Sequence, residues 1–235
     1  MALTNRVAVI MGATGQLGPA VAKAFADAGV RLVLVAPDQA ALDALFQTLG
    51  YRESRVMLYA ADSLDEQALH ALAQAVQERF GRLDIVTHLT TAYRGGGLLD
   101  TTDEMWQDMF EENLQTALYA ARALTPLLIK NEWGRILTIS SGVTQNPPPG
   151  SLAYLTAKSA LETFTLALAN EFKSKHITAN VVLLRALDTP TERAKQPNKT
   201  TGWVKPEEVA ATLVFLCSDE AGAITGARIP VVGGA

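Results

Sequence analysis

The sequence is poor in residues that cross-link a chain or bind metals. It contains one cysteine, Cys217, and three histidines among 235 residues. A single cysteine cannot close an intramolecular disulfide, and the scattered histidines have no metal-ligand spacing, so we expect neither a disulfide framework nor a metal site. No apolar run reaches 18 residues, and the first residues lack the apolar core of a signal peptide. We therefore expect a cytoplasmic protein without a membrane segment.

Positive charge is also scarce. The chain has 20 Lys and Arg against 24 Asp and Glu, a net charge of −4, and no basic run longer than two residues. This balance argues against a nucleic-acid surface and favours a small molecule as partner. The length, with 49% apolar and 19% charged residues, predicts one well-buried α/β domain over residues 1–235.

The most informative stretch places a tyrosine and a lysine four residues apart. Tyr154 and Lys158 lie in a segment of good helix formers without Gly or Pro, so both side chains share one helical face. Residues 147–150, Pro-Pro-Pro-Gly, prevent a helix just upstream, and Ser151 is the predicted N-cap. The helix is therefore predicted to begin about one turn before Tyr154.

This spacing has a chemical consequence. A free tyrosine has a pKa near ~10 and is a poor base at neutral pH. A cation about 4 Å away, at an effective dielectric constant of about 20, contributes roughly 4 kcal/mol, which lowers that pKa by about three units. We therefore predict that Lys158 tunes Tyr154 for acid-base catalysis. The alternative is an ordinary surface pair. Ser141, which ends a strand-like run at 135–140, is the third candidate, because the Pro-rich turn can return its hydroxyl to the helix start.

A glycine-rich turn follows the first predicted strand, residues 6–11. The turn, Gly-Ala-Thr-Gly-Gln-Leu-Gly over 12–18, opens onto an Ala-rich helix predicted to reach about residue 28. Glycines let backbone N–H groups approach a pyrophosphate, which the helix N-terminus then stabilises. A tight strand-to-helix turn without a ligand is the alternative. The candidate cofactor-binding residues are Gly12, Thr14, Gly15, Gln16, Leu17 and Gly18.

The end of the second predicted strand, residues 31–36, bears on the choice between NAD and NADP. An acidic residue there accepts from the ribose 2′-hydroxyl of NAD, whereas an arginine receives the 2′-phosphate of NADP. The tip reads Ala36, Pro37 and Asp38, and neither it nor the glycine turn contains Lys or Arg. The sequence thus favours NAD. An alternative role for Asp38 is to cap the helix predicted over 39–49.

Ser141, thirteen residues before Tyr154, and the Tyr-x-x-x-Lys step resemble the active site of the short-chain dehydrogenase/reductase family. The resemblance runs from the glycine-rich turn to Pro-Val-Val-Gly-Gly at 230–234. It implies an NAD(P)-dependent enzyme that interconverts a carbonyl, or a conjugated imine, with its reduced form. Tyr154 would give or take the proton and Lys158 would lower its pKa and hold the nicotinamide ribose. Ser141 would donate to the carbonyl oxygen, and Asn113 would support a proton-relay water.

The resemblance also implies further contacts. Asp62 and Ser63, after the third predicted strand, would meet the adenine, although Asp62 can equally be a turn residue. Thr90 would line the cofactor after the fourth strand, and Thr189 would touch the nicotinamide amide. These residues complete the candidate cofactor site.

Substrate candidates follow from two loops. The sequence Tyr-Arg-Gly-Gly at 93–96 also resembles bacterial relatives of dihydropteridine reductase within the same family. Tyr93 and Arg94 are therefore substrate candidates, together with Gln145 in the loop after Ser141.

The chain departs from the family pattern at four places. Met11 replaces a threonine, Gln16 replaces a glycine, residues 88–91 read His-Leu-Thr-Thr instead of Asn-Asn-Ala-Gly, and 184–185 read Leu-Arg instead of Pro-Gly. We expect His88 to be a satisfied core residue. These departures motivate an alternative function, a nucleotide-binding regulatory or scaffold protein without turnover.

Strand and helix patterns alternate along the whole chain. They predict a doubly wound, Rossmann-type α/β fold with a mostly or wholly parallel seven-stranded sheet, helices on both faces, and the cofactor across its carboxyl edge. Two long helices, predicted over 103–130 and 151–175, pair across a two-fold axis in the family, which implies a homodimer or homotetramer. The polar segment 191–205 offers little material for a lid, so we expect an open cleft there.

Overall fold

The computed structural model describes residues 3–199 and 201–233. Met1, Ala2, Thr200, Gly234 and Ala235 lie outside the described residues. They include both ends of the expected 1–235 domain, one residue of the 191–205 segment and the Gly234 that closes the predicted terminal motif.

A seven-stranded sheet forms the centre of the fold. Its strands are β1 (Val7–Met11), β2 (Arg31–Ala36), β3 (Val56–Ala60), β4 (Ile85–His88), β5 (Gly134–Ser141), β6 (Ile177–Leu184) and, after two short strands described below, β9 (Arg228–Val231). Their order is β3-β2-β1-β4-β5-β6-β9, and every neighbouring pair is parallel. The predicted parallel, doubly wound sheet is confirmed. Strand order reverses between β1 and β4, which places a crevice at their carboxyl ends.

Helices cover both faces of the sheet. They are α1 (Gly18–Asp27), α2 (Gln39–Leu49), α3 (Glu66–Phe80), α4 (Asp103–Phe110), α5 (Thr116–Lys130), α6 (Leu152–Phe172), α7 (Pro190–Lys195) and α8 (Pro206–Cys217). Side chains alternate along each strand, so β1 sends Ala8 and Ile10 into one apolar cluster and Val7, Val9 and Met11 into the other. Both faces of β1 are therefore buried, which explains its continuous apolar sequence.

Three local features refine the predictions. The helix expected over 103–130 is interrupted, because residues Glu111–Gln115 form a π-helical turn between α4 and α5. Ser151 is the N-cap of α6, as predicted, but its side chain makes no capping hydrogen bond. The segment 191–205, expected to offer little material for a lid, has two short elements. It contains most of α7 and the short strand β8 (Trp203–Val204), which pairs with β7 (Ala186–Leu187).

The described residues contain neither a helix that could span a membrane nor a group of metal ligands. In residues 3–199 and 201–233, no helix combines the length and apolar character that a bilayer crossing needs. The same residues contain no group of three or more His, Cys, Asp or Glu side chains arranged to hold a metal ion.

The first turn of α1 tolerates no side chain at Gly18, and this gives a stability prediction. A Cβ added at Gly18 would lie 1.9 Å from the carbonyl oxygen of Ala13, whereas one added at Gly15 would have Gly12 O as its nearest neighbour, at 3.3 Å. We expect Gly18→Ala to lower the free energy of unfolding by about 3 kcal/mol, because backbone must move. Urea denaturation measures the change.

The matched control is Gly15→Ala, which we expect to cost less than about 1 kcal/mol. Equal losses in the two variants would contradict the close packing of α1 against the glycine turn.

Candidate active site

The first turns of α6 and the end of β5 bring three predicted catalytic side chains together. Tyr154 lies in the first turn of α6, and Lys158 follows one turn later, with its Nζ 5.9 Å from the centroid of the Tyr154 ring. Ser141 is the last residue of β5, and its hydroxyl interacts with the Tyr154 phenol. The predicted convergence of Ser141, Tyr154 and Lys158 is present, whereas their chemical roles remain predictions.

The electrostatic state of Tyr154 differs from the prediction. Burial raises the pKa of its phenol above the ordinary value, and the Thr91 and Ser141 hydroxyls oppose that rise without reversing it. The expected lowering of this pKa by Lys158 was wrong. The Lys158 ammonium instead donates to the carbonyl oxygen of Ile139, at 3.1 Å, while loss of water disfavours the phenolate. Burial thus keeps Tyr154 protonated at neutral pH.

Lys158 is one of the most deeply buried side chains of the protein, with 1% of its surface exposed. Burial lowers its pKa to about 7, and the negative charge of Glu162 opposes that change. Near neutral pH the amine is therefore balanced between its charged and neutral forms.

Asn113 lies within the π-helical turn and is fully buried. Its Oδ1 accepts from the Thr91 hydroxyl at 2.9 Å and the Ala92 amide at 3.3 Å. Its Nδ2 donates to the carbonyl oxygens of Ala92 at 3.0 Å and Met109 at 2.9 Å. The side chain thus ties the loop after β4 to the helix, and π-helical turns of this kind are frequent at functional sites.

Thr91 is a site residue that the sequence reasoning missed. Its hydroxyl donates to Asn113 Oδ1 at 2.9 Å and acts to lower the pKa of the Tyr154 phenol. The signal was present in the departure at residues 88–91, where a hydroxyl stands at the position of the family's glycine. From the sequence that departure reads as a loss, whereas in the structure it adds a polar group beside Tyr154.

His88 is a core residue, as predicted, but it is only partly satisfied. Its Nε2 pairs with the Thr116 hydroxyl at 3.0 Å, and that hydroxyl donates to Glu112 O. The proton therefore resides on Nε2, and Nδ1 has no partner among the described residues. Burial, with a smaller contribution from the Lys158 charge, lowers the His88 pKa to about 3, so the imidazole is neutral.

The glycine turn fits a dinucleotide. Gly12 has φ +75°, a conformation that favours glycine, and an added Cβ would approach Thr90 N to 3.0 Å. Thr90 therefore lies directly against this turn, as its assignment to the cofactor site requires. Gly15 and Gln16 are exposed, and Thr14 is half-buried, whereas Leu17 and Gly18 are buried at the start of α1. A bare turn at a helix N-terminus suits a pyrophosphate, and these residues would hold one.

The expected open side of the cleft is bordered by α7. Thr189 is the N-cap of α7 and its hydroxyl donates to Gln16 Oε1. Gln16 Nε2 donates in turn to Glu192 Oε1 at 3.0 Å. The residue that replaces a family glycine thus links the glycine turn to α7.

The two acidic cofactor candidates both have local structural roles. Asp38 caps α2, since its Oδ1 accepts from Ala40 N at 2.9 Å and Ala41 N at 3.4 Å. Asp62 Oδ1 accepts from Leu64 N at 2.9 Å. Both alternatives raised from the sequence are therefore present. The neighbouring candidates Ala36, Pro37 and Ser63 are buried, exposed and half-buried, respectively.

The substrate candidates separate into two groups. The Tyr93 ring meets the Tyr154 ring edge to face, with centroids 5.0 Å apart and planes at 84°. Its hydroxyl pairs with Ser151 Oγ at 3.1 Å, which explains why the Ser151 side chain makes no capping hydrogen bond at the start of α6. Arg94 forms an ion pair with Asp108 at 2.7 Å, and Gln145 is exposed in the loop between β5 and α6. The contacts therefore bring Tyr93, but neither Arg94 nor Gln145, against Tyr154.

Sequence comparison finds relatives that match the entire chain. Residues 12–235 match a family model described as enoyl-(acyl carrier protein) reductase. The chain is 29% identical over 243 residues to the 3-oxoacyl-[acyl-carrier-protein] reductase FabG of Escherichia coli, covering 100% of this chain and 98% of the relative. It is 30% identical to the FabG protein of Pseudomonas aeruginosa, with the same coverage.

Solved structures show the same likeness. A protein from Burkholderia xenovorans, described as a short-chain dehydrogenase/reductase, is 27% identical with a TM-score of 0.88, covering 99% of this chain and 96% of that one. A short-chain oxidoreductase of Pseudomonas aeruginosa shares the fold, with a TM-score of 0.91 at 24% identity over 100% of this chain and 98% of that one. The chain therefore belongs to the short-chain dehydrogenase/reductase family, whose members are NAD(P)-dependent oxidoreductases.

Proposed function

We propose that this chain reduces a small carbonyl compound, or a conjugated imine, with Tyr154 as the proton donor. The observation that carries the proposal is the convergence of Ser141, Tyr154 and Lys158 at the crevice beside the glycine turn. The nicotinamide cofactor supplies the hydride when bound. One domain, residues 1–235, would carry both the cofactor site and these side chains.

Tyr154 is suited to give a proton. Because burial raises its pKa, the phenol retains its proton at neutral pH and can transfer it to a substrate oxygen as negative charge develops there. The Ser141 hydroxyl, beside the phenol, would donate a hydrogen bond to the same oxygen. Thr91 and Tyr93 would hold the phenol in position through a hydroxyl and an aromatic contact.

Lys158 and Asn113 would support this step. The ammonium form of Lys158 would bind the nicotinamide ribose and stabilise the phenolate that Tyr154 becomes after proton transfer. Asn113 fixes Thr91 and the π-helical turn, and it would position the relay water that returns a proton towards Lys158. A pKa of about 7 suits Lys158 to this exchange at neutral pH.

The cofactor site would extend along the crevice. The glycine turn, Gly12 to Gly18, would hold the pyrophosphate, and Thr90, Thr189, Tyr154 and Lys158 would lie along the nicotinamide end. Asp62 and Ser63 would meet the adenine, and Ala36, Pro37 and Asp38 its ribose. We propose NAD as the preferred form, since the charge at that tip is the Asp38 carboxylate. The FabG relatives do not support this choice.

The substrate class follows from the relatives and from Tyr93. The FabG proteins are named for 3-oxoacyl groups, so 3-oxoacyl thioesters are the first substrates to test. Pteridine-like imines are the second, because of the Tyr-Arg-Gly-Gly sequence. Tyr93 would border the substrate directly, with Arg94 and Gln145 at the rim of the cleft. A homodimer or homotetramer formed through α5 and α6 completes the proposal.

A scaffold protein without turnover was the alternative suggested by the departures from the family pattern. The comparisons give it no support, because the relatives that cover the whole chain are named as reductases. The retained Asn113, Ser141, Tyr154 and Lys158 also favour an enzyme.

The proposal is tested by Tyr154→Phe. This change removes the phenol oxygen and leaves the ring against Tyr93, so kcat/KM should fall by at least about 10²-fold while cofactor affinity stays within about twofold. Nicotinamide absorbance with a panel of 3-oxoacyl thioesters, ketones and imines gives turnover, and fluorescence titration gives affinity.

Tyr59→Phe is the matched control for that experiment. It removes a phenol whose hydroxyl contacts Ala68 O, away from the crevice, and should leave turnover unchanged. Full activity in Tyr154→Phe would reject the proton-donor assignment.

The NAD preference is tested by Asp38→Asn. Asparagine also caps helices, so the variant keeps α2 but removes the charge that would repel a 2′-phosphate. The ratio of kcat/KM with NADH to kcat/KM with NADPH should fall about tenfold. Asp43→Asn, the same change on an exposed residue of α2, should not alter it. A wild-type enzyme that prefers NADPH would overturn the proposal.

A further inference from the structure

A stripe of polar side chains runs along the buried face of α6. Tyr154, Lys158, Glu162 and Thr165 follow one another at spacings of four, four and three residues, which places them on one side of the helix. Lys158 is 1% exposed and Glu162 is 3% exposed. A buried positive charge and a buried negative charge thus lie one helical turn apart beneath the site.

The Glu162 carboxylate is held by two partners from different strands. Its Oε1 accepts from the Ser140 hydroxyl at 2.7 Å, and its Oε2 accepts from Arg228 Nε at 2.7 Å. Ser140 precedes Ser141 on β5, and Arg228 lies on β9 with 36% of its side chain exposed. Both carboxylate oxygens are therefore fixed in place, and the charge acts on Lys158 across the helical turn.

Among the described residues, the titratable and polar groups that face Lys158 come from few elements. On α6 they are Glu162 and the protonated phenol of Tyr154. From β4 comes His88, which is neutral, and β5 contributes the Ile139 carbonyl, which carries no charge. Arg228 on β9 lies beyond Glu162. The charge of Glu162 opposes the effect of burial, which lowers the Lys158 pKa to about 7.

We propose that Glu162 is a positioning residue whose carboxylate, held by Ser140 and Arg228, keeps Lys158 in the ammonium form that the active site uses. The inference rests on the proposed function of Lys158. It adds three residues to that function, Ser140, Glu162 and Arg228. Glu162 and Arg228 are separated by 66 positions in the sequence and joined by one charged hydrogen bond.

The direct test is the titration of Lys158 itself, which does not require turnover. NMR of the ¹⁵N-labelled lysine side chains follows the Nζ signal, assigned with Lys158→Arg, from pH 5 to 10 in the full-length protein. Glu162→Gln should move the Lys158 midpoint down by about one pH unit or more, a tenfold change in the ratio of ammonium to amine. Arg228→Gln removes the opposite charge and should move it upwards.

Two control variants separate charge from structure. Glu171→Gln makes the same change at an exposed position of α6 and should leave the Lys158 midpoint unchanged. Glu162→Asp keeps the charge and should restore most of the wild-type midpoint. Should Glu162→Gln fail to fold, two results still decide the inference. They are an upward shift of the Lys158 midpoint in Arg228→Gln and a midpoint near the wild-type value in Glu162→Asp. The inference is overturned if the Lys158 midpoint stays at its wild-type value in both Glu162→Gln and Arg228→Gln.

Activity then distinguishes this inference from the proposed function. The alkaline limb of the kcat/KM profile should move to lower pH in Glu162→Gln, because the ammonium form is lost earlier. If Tyr154→Phe abolishes turnover but Glu162→Gln leaves both the limb and the titration unchanged, only the inference fails. If Tyr154→Phe retains turnover while the Lys158 titration shifts as expected, the proposed function fails and the electrostatic role of Glu162 stands.

Discussion

The burial of Lys158 between α6 and β5 is the constraint on which the site depends. Taking an ammonium out of water costs several kcal/mol in a folded protein, and Lys158 forms no ion pair with any carboxylate in the part of the chain that the structure describes. The Ile139 carbonyl oxygen accepts a hydrogen bond from Lys158 Nζ at 3.1 Å, and Glu162 compensates the ammonium charge from the next helical turn. Because α6 packs on both β5 and β6, the amine cannot turn outwards to water. Its pKa of about 7 is therefore a property of the fold.

The same loss of water raises the pKa of Tyr154, whereas it lowers the pKa of Lys158. Burial favours the uncharged phenol as it favours the uncharged amine, so at neutral pH the phenol keeps its proton while the amine is balanced between its charged and neutral forms. Such a pair suits reduction, in which the proton is needed only when negative charge develops on the substrate oxygen. The hydroxyls of Thr91 and Ser141 oppose the rise in the phenol pKa, and Asn113 fixes Thr91 through the π-helical turn. The polar groups around the phenol are thus preorganised by the loop after β4.

Local chemistry made much of the fold predictable from the sequence. The apolar strands, the glycine turn and the Asp38 cap depend on neighbouring residues, and all were found where expected. The π-helical turn was not predictable, since one extra residue in a helical turn has no sequence pattern of its own. The pairs Tyr93 with Ser151 and Glu162 with Arg228 arise from tertiary contact. The pKa of Tyr154 was predicted with the wrong sign because helical spacing gives proximity to Lys158 but says nothing about burial.

The protonation state of Tyr154 in the cofactor-free protein tests the central claim most directly. Ultraviolet difference titration near the phenolate absorption band, wild type minus Tyr154→Phe, isolates this phenol from the other four tyrosines. The structure predicts no phenolate signal from Tyr154 at neutral pH and a midpoint above the ordinary tyrosine value of about 10. A Tyr154 phenolate that forms near pH 7 would contradict the account, because it would show that the charge of Lys158 outweighs the effect of burial.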